Sequence, residues 1–121
     1  MPAPDLDELR DKTVLMLAHV YRSVPWNKMR TRHPPLDIWN HRVRAARGGA
    51  MTVGHYISRL CNYLGLQSLP PEAVALALEL EPHAYDVLEL IFQEHIPISV
   101  RARVVAGALK GGKAHDDNVG D

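Results

Sequence analysis

Apolar residues recur at three- and four-residue spacing along most of the chain, and that spacing predicts helices. From Asp5 to about Val24, the residues Leu6, Leu9, Thr13, Met16, Leu17, Val20 and Val24 fall on one face. Val14, Leu15, Ala18 and Tyr21 widen that stripe. Such a helix is either central or covered by a partner, so its wide face would also fit a homodimer. Asp5 is the expected N-cap, with Glu8 three residues on, as in a capping box. Pro25 should end the helix, because proline disfavours the α conformation in the residue before it.

Residues 25–35 read as a loop, bounded by Pro25 and Pro34-Pro35. A short helix is predicted from Leu36 to Arg47, with Leu36, Trp39, Val43 and Ala46 inward and Asn40, His41, Arg44 and Arg47 outward. Gly48-Gly49 stops it. A third helix is expected over Val53–Leu64, capped by Thr52, lined by Val53, Tyr56, Ile57, Leu60 and Leu64, and closed by Gly65. A fourth covers Pro71–Leu80, where a proline at the first position costs little. A fifth covers His83–His95, with Ala84, Val87, Leu88 and Ile91 as its stripe. Pro97 should separate it from a sixth over Ser99–Leu109, where Val100, Val104, Val105, Ala108 and Leu109 are apolar. The expected fold is all-α, a compact single-domain bundle of five to six short helices with irregular packing. The domain spans residues 1–110, and residues 111–121, from Gly111 onward, read as a disordered tail with no pattern to bury.

Composition changes this picture little. A chain of 121 residues with 46% apolar content is long enough for a real core. Aromatics are sparse, so Leu, Val, Ile and Ala must fill it. Cys61 is the single cysteine, which removes any intramolecular disulfide framework. No basic stretch followed by an apolar run opens the chain, and no apolar run approaches the ~18 residues of a membrane span. The expected location is cytoplasmic, with no membrane partner.

Charge changes it more. The net charge is zero, from 14 basic and 14 acidic residues, but the two signs are segregated. Residues 26–47 hold Lys28, Arg30, Arg32, Arg42, Arg44 and Arg47 against Asp37 alone. Trp26, Trp39, His33 and His41 lie in the same stretch. Residues 48–98 hold only Arg59 against Glu72, Glu79, Glu81, Asp86, Glu89 and Glu94. Cations beside aromatic rings suit a phosphate- or carboxylate-bearing partner. The expected partner-binding residues are therefore Trp26, Lys28, Arg30, Arg32, His33, His41, Arg44 and Arg47, while Trp39 belongs to the core. The opposing expectation is that these cations are solvated or are answered by the chain's own acidic helices.

Local chemistry is thin. No two of the seven histidines stand three or four residues apart, so no helical metal pair exists and no metal or cofactor is expected. His55 and Cys61 lie six residues apart, on nearly opposite helix faces. Cys61 reads as a small core residue. The glycines form no phosphate loop. Leu60, Cys61, Leu64, Gly65 and Leu66 loosely resemble the first half of a helix-turn-helix, but Pro70-Pro71 occupy the turn. The helix that would read DNA also carries Glu72 and Glu79, which DNA would repel. The expectation is a non-enzymatic binding or regulatory protein, an accessory subunit or inhibitor. It would act by protein–protein contact on an acidic surface, with Trp26 as an apolar anchor. The alternative is an accessory protein that places the same cations on nucleic-acid phosphates.

Overall fold

The computed structural model describes residues 5–29 and 51–119, with side chains as far as Lys110. The described residues are all-α, with no strand among them. Helix α1 is Leu6–Tyr21. It starts where expected, because Asp5 Oδ1 accepts from the backbone N–H groups of Asp7 at 2.9 Å and Glu8 at 3.3 Å. Glu8 turns to Lys12 at 3.5 Å. The helix ends three residues before Val24, and the chain then tightens, with Ser23 N donating to Val20 O and Val24 N to Tyr21 O.

Helix α1 is the central element. Leu9, Thr13, Val14, Met16, Leu17, Ala18, Val20 and Tyr21 are all buried. The chain covers this wide face itself, with α3 (Pro71–Leu80) on one side and α4 (Ala84–Val119) on the other. The buried Thr13 hydroxyl is satisfied locally, since its Oγ1 donates to Leu9 O at 2.7 Å.

Helix α2 (Val53–Tyr63) packs on α3. Thr52 caps it by accepting from His55 N at 3.0 Å. Glu81, 28 residues on, completes that end by accepting from Val53 N at 3.0 Å. The other end closes as a Schellman motif: Leu66 N donates to Cys61 O at 2.9 Å and Gly65 N to Asn62 O at 3.2 Å. Gly65 sits at φ +78°, the left-handed geometry that this closure requires. Helix α3 buries Ala73, Ala77 and Leu80, and the two alanines leave room for close approach to its neighbours.

The expected count of five to six short helices is not met. The helix placed at Leu36–Arg47 lies outside the described residues. The two expected on either side of Pro97 form a single element, α4. Pro97 has no N–H for the carbonyl four residues earlier, and its ring crowds that carbonyl. The strain is absorbed by a kink at Glu94 (φ −123°, ψ 24°) rather than by a connection. Element α4 runs as far as Val119. Leu88, Ile91 and Ile98 are fully buried across the kink, beside Met16, Leu17 and Tyr21 of α1 in one core cluster.

Ion pairs fasten the outside of this arrangement to α1. Glu94, at the kink, receives Arg10 through Nε at 3.3 Å and Nη2 at 3.1 Å. Glu79 receives Lys12 at 2.6 Å, and Glu72 receives Arg22 at 2.6 Å. All are partly exposed and screened by water, so each contributes little to stability. Their value is in register, since three cations spaced along α1 meet one carboxylate on each neighbouring turn.

Candidate functional site

The expected site begins at Trp26, and the structure places that residue with clear geometry. Pro25 follows the tightened end of α1, and residues Trp26–Lys28 form one 3-10 turn. That turn folds the indole back over the helix it has left. The indole Nε1–H donates to Tyr21 O at 2.9 Å, which satisfies a carbonyl at the end of α1 that has no helical partner. The ring meets Tyr21 edge-on, with centroids 5.2 Å apart and planes at 87°. Arg103 of α4 lies across the ring, its Cζ 4.2 Å from the centroid. Trp26 is therefore half-buried and held by its own chain, where the sequence pointed to an anchor open to a partner.

Lys28, two residues on, is exposed. Arg30, Arg32, His33, His41, Arg44 and Arg47 lie outside the described residues, as does Trp39. The structure thus brings Trp26 against Arg103 of α4.

The acidic half of the chain sits elsewhere. Glu72, Glu79 and Glu94 are engaged by Arg22, Lys12 and Arg10 of α1. Glu81 caps α2. The carboxyl of Glu72 is held below its ordinary range, first by a backbone hydrogen bond and then by Arg22. Cations that the sequence reading left aside thus partner three of the six acids.

No three metal-ligating side chains converge among the described residues. Cys61 is buried, and burial pushes its thiol up, away from the reactive thiolate. Tyr21 is fully buried with its phenol pushed up to about 12, chiefly by loss of water, with Ser99 and Arg103 opposing. Burial lowers His19, and Arg22 adds to that effect. Among the described residues no helix is long and apolar enough to cross a membrane. Compared with known proteins, the chain matches no family model, no curated protein and no solved structure.

Two apolar surfaces were not visible in the pattern. One is a hollow of about 260 Å³ between α2 and α3, lined by Gly54, Ile57, Leu69, Val74 and Leu78, with Glu81 at its edge. The other lies along the second half of α4. There Ile98, Ser99, Ala102 and Ala106 are buried, while Ile96, Val100 and Val104 are exposed by 46%, 44% and 67%. Apolar positions ring that helix, so hydrophobicity alone does not say which face packs. Side-chain size does, because the small Ser99, Ala102 and Ala106 let the backbone come close to the core. The bulkier Val100 and Val104 are left outside.

Proposed function

We propose that this chain is a small helical binding or regulatory protein that docks on a second protein with an acidic surface and performs no catalysis. The observation that supports this reading best is the stacking of Arg103 on Trp26. It joins the turn at the start of the basic segment to α4 beyond its kink. A second support is the engagement of Glu72, Glu79 and Glu94 by α1. These carboxylates already have cations of their own. In this reading Trp26 orients Arg103, and the charges at Lys28, Arg30, Arg32, Arg44 and Arg47, with His33 and His41, meet the partner.

The test is capture of partners by the tagged full chain from native lysate, with and without nuclease, at low and moderate salt. A chain carrying glutamate at Arg30, Arg32, Arg44 and Arg47 is run beside it. Recovery of a protein that survives nuclease and is lost from the charge-reversed chain is the expected result. Recovery that needs nucleic acid and falls steeply with salt would overturn the reading in favour of phosphate binding. Equal recovery by both chains would overturn the role of the basic segment.

A further inference from the structure

We infer that the exposed line Ile96–Val100–Val104 on α4 is a seat for an acidic amphipathic helix of the partner protein. This inference rests on the reading above and names the surface and the kind of segment that would occupy it. The three side chains stand four residues apart, so they form one ridge along the helix. Gly107 and Ala108 extend the line by a turn, and both are exposed. From Ile96 to Ala108 the ridge is about 18 Å long, which matches three to four turns of a facing helix. No charged residue falls on it.

The charges beside the ridge identify the occupant. From Pro97 to Lys110 the chain has no carboxylate, and its cations are Arg101, Arg103 and Lys110. Helical periodicity puts Arg101 on one flank and Lys110 on the other, while Arg103, on the Lys110 side, is engaged with Trp26. Arg101 reaches Asp11 only at 3.7 Å, with both side chains well exposed, so that pair is weak and exchangeable. A partner helix with apolar residues at three- and four-residue spacing and Asp or Glu on both shoulders complements this surface in shape and in sign. A second copy of the chain does not, because its ridge would bring cation against cation.

Gly107 gives independent support. Glycine inside a helix costs about 1 kcal/mol relative to alanine. Nothing in the fold demands it there, since a Cβ at Gly107 would meet no atom within 4 Å. Its absent side chain leaves a low place at the end of the ridge where a facing backbone can come near.

The probe is a fluorescein-labelled synthetic helix of about 20 residues, long enough to hold helical structure. It carries Leu on one face and Glu on both shoulders. A version with Lys shoulders and phosphatidylserine vesicles serve as comparisons. The full-length chain is titrated by fluorescence anisotropy, beside Val104→Asp and Arg101→Glu, whose folding is checked by circular dichroism. The acidic helix should bind, the Lys version should bind at least about tenfold more weakly, and each substitution should cost about tenfold. Equal binding of the two helices, full retention by Val104→Asp, or binding to vesicles alone would overturn the inference. Sedimentation of a dimer that Val104→Asp dissolves would assign the ridge to a second copy and overturn it as well. Capture of an acidic protein that Val104→Asp leaves unchanged would sink the ridge alone. Nuclease-sensitive capture would sink the underlying reading.

Discussion

Replacing Trp26 by alanine removes three contacts that all belong to the protein's own fold. The indole N–H to Tyr21 O is a hydrogen bond of 2.9 Å, with a net contribution of about 1 kcal/mol. Tyr21 O also accepts from Val24 N at 3.0 Å, so it is not orphaned and the loss stays near that figure. The edge-on pairing with Tyr21 adds about 0.5–1.5 kcal/mol, and the stacking of Arg103 about 0.5–1 kcal/mol at a partly exposed site. Together these give about 3 kcal/mol, at the low end for truncating a tryptophan, as suits a half-buried ring. That is a large share of the stability of a domain this size. Urea unfolding followed by circular dichroism should show it as a lower midpoint with an unchanged slope. Trp26→Phe keeps a ring for Tyr21 and Arg103 and should cost about 1 kcal/mol. A double-mutant cycle with Arg103→Ala should return a coupling of about 0.5–1 kcal/mol. If Trp26→Ala unfolds at the wild-type midpoint yet abolishes partner capture, the ring is an open anchor, and the assignment made from these contacts is wrong.

Removing the Glu81 side chain by substitution with alanine should cost about 1–2 kcal/mol, because Val53 N at the start of α2 loses its acceptor. Glutamine, which keeps an oxygen but loses the charge at a helix N-terminus, should cost less; equal stability of all three proteins in urea would refute the cap. Stability should fall as pH drops below about 6.5. His19 has its pKa lowered by burial and by Arg22, so the unfolded chain takes up its proton first. The slope ends once pH passes the folded value, and His19→Gln should flatten it; an unchanged slope in that variant would assign it to other groups. Cys61 should react with a thiol reagent only as fast as the protein opens, given its burial and raised pKa. Rapid labelling of the native protein would contradict that placement.

Much of the helical framework was legible because it follows from local chemistry. Asp5, Thr52 and Gly65 each stop or start a helix through groups within a few residues, and each lies where the sequence puts it. The inward residues of α1 and α2 were legible for the same reason, since one face of each carries most of the large apolar side chains. Two things escaped. Pro97 was read as a boundary, and the helical path does break just before it, at Glu94; what the pattern did not show is that both stretches bury into one core, through Ile91 and Ile98. The packed face of α4 after Pro97 was hidden because apolar residues occur on every side of the helix there, among them Ile98, Val100, Ala102, Val104, Val105 and Ala106.

The charge pairing of the described residues escaped for a different reason. Charge was counted by segment, and segments do not meet as blocks. Glu72 and Glu79 lie on α3 and Glu94 on α4, where they meet Arg22, just past the end of α1, and Lys12 and Arg10 within it. The charge of the acidic half is therefore largely spent on registering helices. Beyond the kink of α4, Arg101 meets Asp11 at 3.7 Å and Arg103 lies over the ring of Trp26. Among the described residues, the asymmetry that matters is thus narrower than the one in the sequence. It lies between the two ends of α4: an acidic end before the kink, tied down through Glu94, and a basic end after it that displays Val100 and Val104 to solvent. A kink that lets one helix do both is the structural consequence of Pro97, and it places the exposed ridge beside the tryptophan turn.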